Sequence, residues 1–169
     1  MSMTIPPLER VLDDGRLHIP IQLRWGDLDA FNHVNNTAML KLLEEARVRA
    51  FWRPAPGETG PATAILDSGL SHGMLTLIAR QEIEYLAPVP YQRHPLDIQM
   101  WFGKLGGSSI EVCYEVRTDP AAEQHSLYAR ATTVIVLVEA ASGRPVRLTP
   151  EMREAWSPLL GEPLVYRRN

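Results

Sequence analysis

One stretch of the chain, residues 37–52, has the periodicity of an amphipathic α-helix, and strand-like patterns surround it. Its apolar residues recur at intervals of three and four positions, at Met39, Leu42, Leu43, Ala46 and Ala50. Charged residues, including Arg47, occupy much of the remaining helix surface, and Asn35 or Asn36 can cap the first turn. Because such a helix has one apolar face, the rest of the chain must supply a surface that covers it.

That surface is predicted to be an antiparallel sheet. Apolar alternation or dense β-branched residues mark five strand candidates, at residues 19–24, 74–86, 96–104, 109–118 and 127–139. Short turns join the later candidates, and a closing helix at residues 150–156 has Thr149 as its predicted N-cap. The order predicts a single α+β domain over residues 1–169, with a core at about 18–140 and a C-terminal tail that holds the short helix.

Composition narrows the classes of protein that the sequence can represent. Hydrophobic residues make up 45% and charged residues 22% of the 169 positions, which is typical of a soluble globular domain. One cysteine, Cys113, rules out an intrachain disulfide and a site with several cysteine ligands. The net charge of −3 disfavours nucleic acid as a partner. The chain shows no signal-peptide pattern and no apolar run of membrane-spanning length, so a cytoplasmic location without membrane insertion is expected.

Two simple readings of reactive groups are not favoured. Residues 69–73 spell the G-x-S-x-G nucleophile elbow of serine hydrolases, which needs a strand before the serine and a helix after it. Here a strand pattern follows, so the segment is interpreted as a glycine-rich lead-in to a strand. The five histidines show no metal-ligand spacing, and no metal is expected.

Residues 24–36 carry the groups that suggest chemistry, because they bring two carboxylates, a histidine and three asparagine amides to the start of the helix. Asp27 is interpreted as a turn carboxylate, and His33 fits a turn as well. Asp29 lies too early to cap the helix and has apolar neighbours, where a carboxylate is costly without a partner. A helix N-terminus nearby stabilises an anion and offers N–H groups to a developing oxyanion. One hypothesis is therefore that these residues hydrolyse an activated ester, and the other is that they only form a turn before the helix.

The pattern Arg-Trp-x-Asp-x-Asp-x-x-x-His-Val-Asn-Asn at residues 24–36, followed by Leu-Leu-Glu-Glu-Ala-Arg at 42–47, resembles the 4-hydroxybenzoyl-CoA thioesterase family of hotdog-fold acyl-CoA thioesterases. The resemblance covers roughly residues 19–139. It implies a hotdog fold, in which one long central helix is wrapped by a curved five-stranded antiparallel sheet. The sequence departs from the family at Asn32, where many relatives have glycine, and in the long Pro/Gly-rich segment at 54–68.

The resemblance also implies a reaction and a site. The expected activity is hydrolysis of an acyl-CoA thioester, with Asp29 as the nucleophile or as the general base that activates water. His33, Asn35 and Asn36 are the expected substrate-binding residues, and no cofactor is implied because CoA is part of the substrate. A homodimer or homotetramer is expected, with strand 127–139 and its neighbours contributing to the interface.

Three alternatives remain open at this stage. The substrate could be carried on an acyl carrier protein, although basic residues are too scattered to form an obvious docking surface. The domain could bind acyl groups without catalysing a reaction, but a module that only binds has no use for a carboxylate at Asp29. It could also be a hotdog hydratase that uses His33 with an acid.

Overall fold

The chain forms one antiparallel sheet with a helix packed on one of its faces, and the structure, a computed structural model, describes residues 10–11, 14–68 and 72–168. The elements in chain order are β1 (Arg10–Val11), β2 (Leu17–Ile21), α1 (Asn36–Phe51), β3 (Met74–Tyr85), β4 (Leu96–Leu105), β5 (Ser109–Arg117), β6 (Leu127–Glu139) and α2 (Pro150–Trp156). Short 3-10 helices cover Trp25–Asp27 and Ser157–Leu159.

The sheet contains the five predicted strands and one more. Its six strands lie in the order β1-β2-β4-β5-β6-β3, and all neighbours are antiparallel. The additional strand, β1, has two residues and pairs with β2 at one edge. The strand predicted at 19–24 instead spans Leu17–Ile21, because its last residue pairs with Leu96, where its partner β4 begins.

Helix α1 covers one face of the sheet, as its periodicity predicts. The apolar helix residues Met39, Leu42, Leu43, Ala46 and Ala50 are all at most 5% exposed and belong to one core cluster with the sheet. From β4 this cluster receives Leu96, Ile98, Met100 and Phe102, which lie at every second position and therefore share one face of the strand. The fold class is confirmed, but a long central helix is not, because α1 has 16 residues. None of the helices in the described segments is long and apolar enough to cross a membrane.

Helix α2 packs into the hydrophobic core through Met152 and Trp156. Trp156 is fully buried and contacts Phe51 and Phe102, with ring centroids 5.8 Å and 5.5 Å away. Its indole N–H donates to the carbonyl of Thr63 at 3.0 Å. Thr149 caps α2 as predicted, since its hydroxyl accepts from the N–H of Met152.

The outer edge of the sheet belongs to β3. Strand β6 lies between β5 and β3, so both of its backbone edges are already paired. Buried and half-buried residues alternate along its central part, residues 129–137, and its last residue, Glu139, is exposed. Strand β3 pairs with β6 alone in the described part of the chain, and its Leu77 and Ile78 side chains are about half exposed, at 52% and 47%.

A buried histidine joins the N-terminal turn to the sheet. His18 on β2 is 6% exposed, and its Nδ1 lies 2.9 Å from Oδ2 of Asp97 on β4. Its Nε2 lies 2.9 Å from Oδ2 of Asp14. Burial alone would lower the pKa of His18, but the hydrogen bonds to the two carboxylates outweigh it and the pKa is raised. The two carboxylates therefore favour the protonated form of the ring.

We expect the free energy of unfolding to fall as the pH rises from about 6.5, the ordinary pKa of histidine, through the raised pKa of His18. The reason is that the folded protein holds this proton more tightly than the unfolded chain does. Urea unfolding at about pH 6 and about pH 9 measures the change. His18→Asn, which cannot be protonated, should show a smaller change than the wild type, whereas His125→Asn, at an exposed histidine, should match the wild type. Equal changes for the wild type and His18→Asn would contradict the assignment.

Candidate active site

Asp27 holds the start of the loop between β2 and α1. Its side chain is buried, and its Oδ2 accepts from the backbone N–H of Arg24 at 2.8 Å. Its Oδ1 accepts from Nη2 of Arg24 at 3.0 Å, and its backbone carbonyl accepts from the N–H of Asn35 at 2.8 Å. These contacts confirm the interpretation of Asp27 as a turn carboxylate.

The next part of the loop is a tight turn closed by Asp29 and His33. The backbone N–H of Asp29 donates to the carbonyl of His33 at 2.8 Å, and Leu28 forms an antiparallel bridge with Val34. The N–H of Asn32 donates to the carbonyl of Asp29 at 3.1 Å. Asn32 has φ of 60°, the left-handed conformation that glycine adopts freely and that asparagine tolerates better than most residues.

The carboxylate of Asp29 is held by this turn through one of its oxygens. Oδ1 accepts from the backbone N–H of Phe31 at 2.8 Å and from that of His33 at 3.3 Å. Oδ2 has no hydrogen-bond partner among the described residues. Asp29 therefore also serves the turn, one of the two roles that the sequence allowed, and the other oxygen of its fixed carboxylate remains available.

A cleft of about 450 Å³ brings Asp29, His33 and Asn36 together beside the start of α1. The residues that follow β3 form the opposite wall, where the N–H of Val34 donates to the carbonyl of Val89 at 2.9 Å and His33 bridges to Pro90. The apolar lining consists of Val34, Met39, Leu86, Ala87, Pro88 and Val89. The cleft thus places a carboxylate and polar groups next to an apolar surface.

Asn35 has a different position from the other predicted site residues. It is the N-cap of α1, and its side-chain oxygen accepts from the N–H of Thr37 at 2.9 Å and from the hydroxyl of Thr37 at 2.7 Å. It does not line the cleft. Asn36, the first residue of the helix, does line it, and its backbone N–H has no acceptor within the described segments. Because a helix N-terminus carries partial positive charge, this N–H suits an oxygen that gains negative charge.

Tyr85 is a cleft residue that the sequence analysis did not identify. It is the last residue of β3, and its phenol donates to the carbonyl of Asn36 at 3.2 Å. Burial raises the pKa of Tyr85, so the phenol stays protonated and remains a donor. No local pattern marks it, because the contact joins residues 49 positions apart.

The structure gives no support to the other reactive motifs. Gly69, Leu70 and Ser71 lie outside the described residues, but the strand Met74–Tyr85 follows them where the nucleophile elbow needs a helix. Among the residues described, no three His, Cys, Asp or Glu side chains are grouped so that they could hold a metal ion. Cys113 is buried, and burial raises the pKa of its thiol, which disfavours the reactive thiolate.

The chain is similar to a known family and to several solved structures. A family model described as the thioesterase-like superfamily matches residues 23–156, whereas no curated protein gives a significant match. A thioesterase of Thermus thermophilus, complexed with coenzyme A and zinc, is 27% identical with a TM-score of 0.62, over 89% of this chain and 97% of that chain.

Two more distant structures are similar in fold. A thioesterase superfamily protein from Jannaschia sp. CCS1 is 20% identical with a TM-score of 0.69, over 90% of this chain and 98% of that one. The DHNA-CoA thioesterase of Staphylococcus aureus is 15% identical with a TM-score of 0.63, over 83% and 87%. The fold is thus of the hotdog type that the sequence resemblance implied. Because the family model spans most of the sequence, including the turn that holds Asp29, the chain belongs to the thioesterase-like superfamily.

Proposed function

We propose that the chain hydrolyses acyl-CoA thioesters to a carboxylic acid and CoA, as a member of the 4-hydroxybenzoyl-CoA thioesterase family within the superfamily. Family membership supports a thioester hydrolase in general. The observation that carries the finer proposal is the cleft that is lined both by Asp29, whose carboxylate is fixed through one oxygen, and by Asn36, the first residue of α1. Thioester hydrolysis needs these two elements, a group that attacks or activates water and a donor that receives the carbonyl charge.

The proposed binding mode follows from the lining of the cleft. The acyl group packs against the apolar wall formed by residues 86–89 and Met39, and the thioester carbonyl oxygen accepts from the N–H of Asn36. His33, which also lines the cleft, contacts the substrate from the side opposite the apolar wall. Asn35 does not line the cleft, so its proposed contribution to substrate binding is indirect, through the cap that fixes the start of the helix.

Two reaction routes are compatible with this arrangement. In the first, the Asp29 carboxylate attacks the carbonyl carbon, the C–S bond breaks, CoA leaves as thiolate, and water then hydrolyses the mixed anhydride. In the second, Asp29 removes a proton from water as it attacks the same carbon, and the C–S bond breaks in the collapse of the tetrahedral intermediate. Neither route requires a cofactor, since water and the substrate supply every atom.

The comparisons support CoA as the carrier without deciding it. One neighbour is named as a thioesterase complexed with coenzyme A, and another is named as a DHNA-CoA thioesterase. An acyl-carrier-protein thioesterase is the alternative within the same fold, and an acyl-binding module is the alternative without catalysis. Release of free thiol from a panel of acyl-CoAs separates the module from the enzyme. Hydrolysis of saturated acyl-CoA separates the enzyme from a hydratase.

We also propose that the chain is a homodimer or homotetramer. The unpaired edge of β3 offers backbone groups to a second strand, and its half-exposed Leu77 and Ile78 offer apolar surface. Because β3 ends at Tyr85, which lines the cleft, pairing of two β3 edges would bring a second copy close to each site.

The central prediction concerns Asp29. Asp29→Asn keeps the shape and one acceptor oxygen but removes the charge, so kcat should fall by about a hundredfold or more with a smaller change in KM. Asp27→Asn is the matched control, because its carboxylate is buried in the turn. This control should lower the melting temperature and cost much less in kcat. Steady-state thiol release on the best acyl-CoA measures both, and equal small losses in the two variants would remove Asp29 from the mechanism.

The route used by Asp29 can be separated in a single turnover in ¹⁸O-labelled water. With enzyme in excess, the nucleophilic route places ¹⁸O in the Asp29 side chain after the anhydride is hydrolysed at the aspartyl carbon, or leaves a trapped acyl-enzyme. The general-base route labels only the released acid. Mass spectrometry that finds ¹⁸O in the peptide that contains Asp29, or an acyl group trapped on it, shows the nucleophilic route, whereas an unlabelled and unacylated peptide is expected for the general-base route.

A second prediction concerns Asn32, whose left-handed backbone shapes the turn that holds Asp29. Asn32→Gly adopts this conformation without strain and should keep kcat within a few-fold of the wild type. Asn32→Val should be strained by about 1–2 kcal/mol or more and should lower kcat by at least about tenfold, because it displaces the carboxylate. Thermal melting and steady-state kinetics measure both effects. A valine variant as active as the glycine variant would show that the turn does not position Asp29.

A third prediction concerns assembly. Light scattering at micromolar concentration should give a mass of at least a dimer, and Ile78→Lys should reduce it by placing charge on the β3 edge. Val165→Lys, at a tail residue that is 81% exposed, is the matched control and should leave the mass unchanged. A wild-type protein that is a stable monomer would contradict the proposed assembly.

A further inference from the structure

Two arginines and two aromatic rings form an exposed group beside the cleft, which we call the aromatic–arginine patch: Arg24, Trp25, Tyr91 and Arg93. The rings of Trp25 and Tyr91 make a T-shaped contact with centroids 5.3 Å apart. Trp25 is 71% exposed and Tyr91 is 40% exposed. Such high exposure is unusual for a tryptophan. A T-shaped pair leaves at least one ring face open to solvent.

The patch is built from two neighbouring segments that the structure fixes. The side-chain amide of Gln22 donates to the carbonyl of Arg93 at 2.9 Å, and the contact between Trp25 and Tyr91 joins the same two segments. On the first segment, Arg24 donates to the buried Asp27, so the backbone at Trp25 is held in place. The backbone that carries the two rings and the two arginines is therefore held in place and is not a loose tail.

The patch continues the wall of the cleft. Val89 and Pro90 pair with Val34 and His33, and Tyr91 is the next residue along the segment. The patch therefore begins one residue beyond Pro90, the bridge partner of His33. Consecutive Cα atoms are about 3.8 Å apart, so the patch is close to the cleft wall. A flexible substrate arm that leaves the cleft on this side would reach it.

The charges of the patch favour an anionic ligand. The Arg24 side chain is 77% exposed even though one of its nitrogens contacts Asp27, so its other donors face solvent. Arg93 is exposed and has no carboxylate partner among the described residues. Arginine donates to phosphate in a fork geometry, and aromatic faces stack on nucleic acid bases. Exposed rings next to exposed guanidinium groups thus match a ligand with both a base and phosphates.

We propose that the aromatic–arginine patch binds the nucleotide part of CoA, with the adenine stacked on the Trp25 and Tyr91 rings and the phosphates on Arg24 and Arg93. This inference rests on the proposed acyl-CoA hydrolysis and identifies the carrier. An acyl carrier protein presents the same pantetheine arm and one phosphate but no adenine. The patch therefore gives the site a reason to prefer CoA.

The test compares two substrates that carry the same acyl group, one on CoA and one on pantetheine. Trp25→Ala should lower kcat/KM for the acyl-CoA by about tenfold, mainly through KM, and leave the acyl-pantetheine within about twofold. Arg93→Ala should act in the same direction. Arg93 is the better arginine to change, because Arg24 also supports Asp27. Arg147→Ala is the matched control, since Arg147 is also exposed and precedes Leu148, which bonds Gly107 at the far end of β4.

Direct binding tests the patch apart from catalysis. Adenosine 3′,5′-bisphosphate, titrated by calorimetry into the full chain, should bind the wild type and Arg147→Ala and bind Trp25→Ala at least about tenfold more weakly. If the wild type hydrolyses no thioester but shows this pattern, the proposed function fails and the patch stands. If the wild type hydrolyses thioesters but Trp25→Ala lowers kcat/KM equally for the acyl-CoA and the acyl-pantetheine, or lowers it for neither, the patch proposal is wrong.

Two other occupants are outcomes of the same experiments. Light scattering that shows Trp25→Ala to be a monomer, where the wild type is an oligomer, would assign the patch to a second copy of the chain and overturn the proposal. Hydrolysis of an acyl carrier protein substrate that is faster than that of acyl-CoA and is lowered by Trp25→Ala would assign it to a protein partner, with the same consequence.

Discussion

The burial of one face of α1 against the sheet is the constraint on which the rest of the structure depends. The helix and the inner face of β4 share one core, in which Leu43, Ala46 and Ile98 are almost completely inaccessible. Once this face is fixed, the rotation of the helix is fixed as well. Asn36 and Met39, which are three positions apart, then both point toward the cleft. The core therefore sets the direction of the helix N-terminus that the proposed chemistry uses.

The local patterns of the sequence were sufficient for most of the fold. The boundaries of β6 and α2 agree with the prediction at both ends, because β-branched density marks β6 and Thr149 with Pro150 marks α2. Arg47 shows the limit of this approach. It looks like a surface residue between helix charges, yet it is buried and donates to the hydroxyl of Tyr114 at 3.3 Å, 67 positions away. A local pattern cannot report a partner that only the folded sheet supplies.

The candidate active site likewise has one part that the sequence could predict and one part that it could not. The turn from Asp27 to Asn35 could be predicted, since a cap, a turn carboxylate and a residue that tolerates a left-handed backbone are local features. The opposite wall, with Tyr85 and the residues at 86–89, could not be predicted. It depends on the long-range pairing of β3 with β6 and on the contact of Val89 with Val34, and both come from the topology of the sheet.

The sequence offered two interpretations of Asp29, a turn residue or a catalytic group, and the geometry makes them compatible. A carboxylate with a catalytic role must be held in one orientation, and the N–H groups of Phe31 and His33 do this through Oδ1 alone. Had the turn engaged both oxygens, as it does at Asp27, each oxygen would be held by a donor of the turn and neither would be free to approach a carbonyl carbon or a water molecule. The difference between the two aspartates is thus one hydrogen-bonded oxygen against two. For that reason Asp27 and Asp29, which lie two positions apart in the same loop, differ in the chemistry that they can perform.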